Sequence, residues 1–254
     1  MFPYHDENQT QRTPLVTWAL IALNVGAWIT VQGAGTSRAL AASVCNFGLI
    51  AGELTGAVPP GTAIELGEGL VCFTDPGRQA AHVLTSMFLH GSWMHLLGNM
   101  WFLYLFGNNV EDSMGRGRFA IFYVLCGVAA ALVQVLFTPD SPVPMVGASG
   151  AISGVMGAYL VLYPRVRVFT FVPIGFFLMS MALPAWTMLI YWFVLQILGS
   201  VTAVAGATAA GVAFWAHIGG FVAGLVTVRV FARRDYVSDH RAHHYRPQRL
   251  GRMA

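Results

Sequence analysis

The stretch VGASGAISGVMGAYLVLYPRVRV, from Val146 to Val168, decides how the rest of the chain is read. Its middle is an unbroken apolar run, and its end is stopped by Pro164 and flanked by Arg165 and Arg167, as expected of a helix leaving a membrane. Its beginning is a serine, Ser149, set between glycines at Gly147 and Gly150. A helix needs about 20 apolar residues to cross the hydrocarbon core, and the run from Ser149 to Tyr163 is shorter than that. The helix therefore starts below the membrane surface, on a hydroxyl.

Composition bounds the setting. The 254 residues are 56% hydrophobic and 10% charged, with mean hydropathy +0.61, which leaves too few polar side chains to cover a water-soluble domain of this size. The chain is read as an integral membrane protein. All 14 basic residues are arginine, and they cluster between apolar runs, so no nucleic-acid partner is expected. Cys45, Cys72 and Cys126 show no CxxC or CxxH spacing, which argues against a thiolate metal site or haem attachment. Cys45 and Cys72 share the longest polar loop, where an oxidising compartment could join them.

The apolar runs predict six spans: Pro14 to Gly33, Gly91 to Val110, Phe119 to Phe137, Met145 to Tyr163, Pro184 to Ala205 and Ala209 to Phe231. The first is read as a retained span. Ala39-Leu40-Ala41 has the pattern of a cleavage site, but Asp6 and Glu7 outweigh Arg12, and the run exceeds the usual ~7 to 15 residues of a signal-peptide core. With the amino terminus inside, only Arg38 and Arg78 of the 14 arginines fall outside, which sets the orientation.

The predicted organisation is an all-α, six-helix membrane bundle. A cytoplasmic segment 1–13 precedes a helical domain 14–231, whose extracytoplasmic loop covers about residues 34–89, and a polar cytoplasmic tail 232–254 follows. Both termini are placed in the cytoplasm of a multi-pass protein of the bacterial inner membrane. The apolar stretch Val168 to Leu183 is interrupted by Pro173 and Gly175 and is read as lying at or dipping into the inner interface. His240, His243 and His244 are assigned to a solvated, mobile tail rather than to a metal site.

At a rise of ~1.5 Å per residue, Ser149 lies ~21 Å above the inner boundary near Tyr163, about 9 Å below the outer surface. The same arithmetic puts His217 at roughly 12 Å depth on the sixth span, and His95 and Asn99 at ~6 and ~12 Å on the second. Polar side chains at this depth face a protein interior or a water-filled cavity, so a cavity opening outward is expected.

These residues suit acyl transfer. A serine hydroxyl becomes nucleophilic when a neutral histidine removes its proton, and a serine at a helix amino terminus also has unpaired N–H groups to stabilise an oxyanion. Gly150, Gly154 and Gly157 on the fourth span, and Ala213, His217, Gly220 and Gly224 on the sixth, would allow the close backbone approach that joins Ser149 to His217. His95 and Asn99, at i and i+4, share a helix face and can both donate hydrogen bonds. No carboxylate accompanies His217 in its span, so a Ser-His dyad is expected, with the imidazole oriented by packing. His90, His95 and His217 could instead ligate a metal, but no HExxH motif is present, and neither metal nor cofactor is expected.

The motifs HGSWMHLLGN, GASGAISGVMG and AHIGG, in this order on the second, fourth and sixth spans, resemble the rhomboid intramembrane serine proteases. The resemblance runs from about Pro14 to Phe231. It implies that Ser149 is the nucleophile, His217 the general base, and His95 and Asn99 oxyanion donors, with His90, Gly147, Gly150 and Gly220 in structural roles nearby. It further implies cleavage of single-span membrane proteins near the outer end of their helix, with entry beside the fifth span, near Trp186 and Trp192. Two departures stand out: Ser153 occupies the place of a tyrosine that stacks on the histidine in some bacterial relatives, and the outer loop lacks a Trp-Arg pair. A catalytically silent client-binding relative, or a transporter using the polar layer as a pathway, are the alternative classes.

Overall fold

The computed structural model describes residues 1–66, 70–77, 79–204 and 213–244. Expectations that rest on Glu68, Arg78, residues 205–212 or the tail beyond His244 lie outside the described residues. The amino-terminal half contains β1 (Phe2–Asp6), α1 (Leu15–Thr30), α2 (Ser37–Phe47), β2 (Leu49–Ile50), α3 (Ala51–Thr55), β3 (Ala63–Glu65), β4 (Val71–Phe73), α4 (His82–Thr85), α5 (Trp93–Phe102) and α6 (Asn108–Met114). It is followed by α7 (Arg116–Phe137), β5 (Pro144–Met145), α8 (Ser149–Leu162), β6 (Arg167–Ile174), β7 (Phe177–Pro184), α9 (Ala185–Val204), α10 (Phe214–Phe231) and α11 (Arg234–His244).

The chain is mostly helical. Helices α7, α9 and α10 are long and apolar enough to cross a membrane, while α1 and α8 are apolar but shorter. A π-helical turn over Leu103–Gly107 joins α5 to α6. At one end of the bundle, Glu111 accepts the Val16 and Thr17 N–H groups at 3.0 and 2.8 Å and so satisfies the open amino terminus of α1. The same end holds the Tyr163–Ser113 hydroxyl contact and the bond from the Arg233 N–H to the Ser113 carbonyl. The arginine-bearing connections therefore gather on one side. At the other end Phe137 stacks on Trp215, with ring centroids 3.9 Å apart.

Helix α8 is short for two local reasons. Pro142, Pro144 and Gly147 (φ +135°) keep the approach out of helical geometry, and Pro164 follows the last turn. The pairing of β2 with β5 pins that approach to the long connection between α1 and α5. Every residue of α8 from Gly150 to Tyr159 is buried, mainly against α7 and α10.

Two expectations need correction. The all-α reading misses a three-stranded sheet in the order β1, β6, β7. The stretch Val168 to Leu183 belongs to a β-hairpin turning at Gly175 (φ +59°), because Val, Phe and Thr favour strand there while Pro173 and Gly175 disfavour helix. The tail beyond residue 232 begins as α11, and its His240 is buried rather than solvated. His240 Nδ1 lies 2.9 Å from Asp112 Oδ2, and Nε2 lies 2.6 Å from Asn8 Oδ1.

The long connection between α1 and α5 carries α2, α3 and the β3–β4 hairpin, and a Cys45–Cys72 disulfide staples α2 to β4. Within it, the buried Glu53 accepts the Asp75 N–H at 2.8 Å.

Candidate active site

Ser149 is the first residue of α8, and its N–H and those of Gly150 and Ala151 lie at the open end of the helix, since Ile152 makes the first bond back, to the Ala148 carbonyl at 3.0 Å. Gly147 precedes it with φ +135°, and a Cβ there would come within 2.9 Å of the Cε1–Nε2 edge of His95 and 3.4 Å of Ser149 Oγ. The hydroxyl and the imidazole of His95 thus converge on one point above Gly147. Any side chain at that position would fill it.

His217 comes from the first turn of α10, and its Nε2 lies 2.8 Å from Ser149 Oγ. Glycine seams create this proximity: a Cβ on Gly220 would overlap the Gly150 carbonyl, one on Gly224 the Gly154 carbonyl, and one on Gly157 the Phe221 carbonyl. The α8 side of the seam is Gly150, Gly154 and Gly157, and Ser149 stands at its rim. Gln134 Oε1 of α7 accepts the Ala216 N–H at 3.1 Å, satisfying a donor at the start of α10 that has no side-chain cap of its own.

Helix α5 carries His95 to the same place. Ser92 Oγ caps α5 by accepting the His95 N–H at 3.1 Å. The Gly91 N–H reaches His95 Nδ1 at 3.3 Å, which leaves the ring proton on Nε2, the edge facing Gly147. Asn99 is buried one turn further along α5, and among the described residues its Nδ2 has no hydrogen-bond partner. His90 is buried with its ring 5.1 Å from that of His95, while Gln32 grips its backbone through two bonds of 2.8 Å.

Ser153 does not approach His217; its hydroxyl donates to the Ser149 carbonyl at 2.6 Å, so the imidazole is held by other means. One expectation needs correction: the imidazole is not oriented by packing alone, because Gln196 of α9 presents Oε1 to His217 Nδ1 at 2.7 Å. Trp192, one turn earlier on α9, lies beside the same ring at 5.8 Å. The signal for Gln196 was present in the sequence: an amide in an otherwise apolar span is costly unless it is bonded. A small cavity of about 20 Å³, room for about one water, adjoins Ser149 between Met87, Gly127, Ala130 and Ala216. No group of three or more metal-binding side chains converges among the described residues.

Fold and site together define a helical membrane protein with a serine–histidine contact at the start of a buried helix. The Rhomboid domain family matches residues 77–234, more than half of the chain, and the chain belongs to that family. It is similar to "Rhomboid-like protein 11, chloroplastic" of Arabidopsis thaliana, at 44% identity over 71 residues, 28% of this chain and 25% of that one. It is similar also to "Rhomboid protease GluP" of Bacillus subtilis, at 40% over 78 residues, 31% of this chain and 15% of that one. "Rhomboid protein 1, mitochondrial" of Saccharomyces cerevisiae matches at 30% over 111 residues, 41% of this chain and 32% of that one. The chain spans less than a third of the length of each of these relatives.

Proposed function

We propose that this chain is an intramembrane serine endopeptidase that hydrolyses peptide bonds in or near the transmembrane segments of membrane proteins, using a Ser149–His217 dyad. The observation that carries the reading is the 2.8 Å contact between His217 Nε2 and Ser149 Oγ at a helix amino terminus. The Oγ–H proton passes to Nε2 as Oγ bonds to the scissile carbonyl carbon and the carbonyl π pair moves onto its oxygen. In this reading His95, Asn99 and the Ser149 N–H donate to the oxygen on which that negative charge develops. The imidazolium then returns its proton to the leaving amine nitrogen as the C–N bond breaks, and water repeats the sequence on the acyl-serine.

The architecture proposed for this activity has six spans in residues 14–231, with 1–13 and 232–254 cytoplasmic, in a bacterial inner membrane. Twelve of the 14 arginines then face inward, and the Cys45–Cys72 disulfide faces an oxidising compartment. The test is labelling with a fluorophosphonate in detergent micelles, paired with cleavage of a single-span substrate. Labelling and cleavage should both vanish in Ser149→Ala and fall in His217→Ala. A label that survives Ser149→Ala would sink the proposal.

A further inference from the structure

We infer that Gln196 is a positioning residue for His217, holding the imidazole in the one tautomer that can take a proton from Ser149. The inference rests on the protease reading above and adds a third, uncharged member to the dyad. Gln196 is buried, and its Oε1 lies 2.7 Å from His217 Nδ1. An amide oxygen only accepts hydrogen bonds, so Nδ1 must carry the ring proton, and Nε2 then presents its lone pair to Ser149 Oγ–H at 2.8 Å.

The amide orientation has its own support. Gln196 Nε2 points at the Trp192 carbonyl of the preceding turn, at 3.4 Å. Turning the amide over would set its oxygen against that carbonyl and its NH₂ against Nδ1. The ring proton would then move to Nε2, and Ser149 Oγ would meet a donor instead of a base. No other polar side chain among the described residues bonds to Nδ1: Ser153 is committed to the Ser149 carbonyl, and Trp192 meets the imidazole only through its tilted ring.

A neutral acceptor suits the depth of the site. An aspartate in the same place would have to be kept ionised within the membrane, whereas the amide costs little once bonded. When His217 takes the proton, its Nδ1–H···O bond becomes charge-assisted and strengthens, so the support is greatest when the imidazolium forms.

The experiment compares the wild type with Gln196→Met, which keeps the length but removes the acceptor. Readouts are kcat and KM on a single-span substrate, together with ¹⁵N imidazole shifts of the detergent-solubilised protein. In the wild type the His217 shifts should report a proton on Nδ1. Gln196→Met should lower kcat by roughly 100-fold with KM within about twofold, and mix the tautomers. A wild-type ring protonated on Nε2, or a Gln196→Met enzyme with unchanged kcat or an unmixed tautomer, would each overturn the inference. A wild type that is never labelled at Ser149 would sink the protease reading instead, and the ¹⁵N shifts would still report the Gln196 contact.

Discussion

Gly220 of α10 packs directly against the carbonyl of Gly150 on α8, so closely that no side chain fits between them. This backbone contact lies one turn below the Ser149–His217 hydrogen bond and sets its length. Helix α10 can carry an imidazole to the hydroxyl only because both seams lack Cβ atoms at the crossing.

Gly220→Val should therefore push α8 and α10 apart. Overpacking of this kind costs about 1–3 kcal/mol, and a displacement of even 1 Å at the dyad is worth about 100-fold in rate. The expected outcome is a lower unfolding midpoint in micelles together with loss of fluorophosphonate labelling. Gly26→Ala, on the open face of α1 where a Cβ meets nothing within 4 Å, serves as the control and should keep the labelling without lowering the midpoint.

Among the described residues Asn99 Nδ2 has no partner, and His95 turns a ring edge toward Gly147, so Asn99→Ala and His95→Ala should each lower kcat by about 10²–10³-fold. KM should change little, because the charge they meet exists only in the transition state. Steady-state cleavage of a fluorogenic single-span substrate measures both constants. A rise in KM with kcat preserved would assign these residues to substrate binding instead.

Asp6, on β1 outside the predicted spans, is buried. It accepts hydrogen bonds from the Tyr159 hydroxyl at 2.6 Å and Asn109 Nδ2 at 3.0 Å. Burial pushes its carboxyl up from 3.8 to about 7, against the opposing effect of the Tyr159 bond. The folded protein thus retains a proton that the unfolded chain releases, and the stability this contributes is fully present below about pH 4 and lost as pH rises through about 7. Asp6→Asn, neutral at every pH, should flatten this dependence. Thermal unfolding in micelles at pH 5 and pH 8 measures it, and an equal slope in variant and wild type would refute it.

His240 ties α11 to the amino-terminal segment through Asn8 and to α6 through Asp112. Burial alone would push Asp112 up, but the His240 bond, the Gln11 N–H and the Arg12 guanidinium hold its carboxyl below the ordinary value. Arg12 also lies 3.7 Å over the Tyr236 ring. His240→Ala should release α11, with faster protease cleavage after residue 232 and about 1–3 kcal/mol lower stability. Cleavage at the wild-type rate would show that the helix is held by its other contacts.

The amino-acid order already carries the membrane setting of this protein and the succession of its motifs. Apolar run lengths, the arginine distribution and the glycine spacing around Ser149 and His217 are local properties that act before any tertiary contact forms. They lead to the expectation of Ser149, His217, His95 and Asn99 in one layer, and the first three meet around Gly147. Contacts between residues whose spacing carries no periodic signal arise instead from how the helices pack. Gln196 reaches His217 from another helix, 21 residues away, and His240 reaches Asp112 across 128 residues. The strand β1 finds its partner β6 beyond four predicted spans, because hydrogen bonding between strands depends on which edges the helices bring together. A buried amide or imidazole must find a partner somewhere, and sequence alone marks the need without naming the partner.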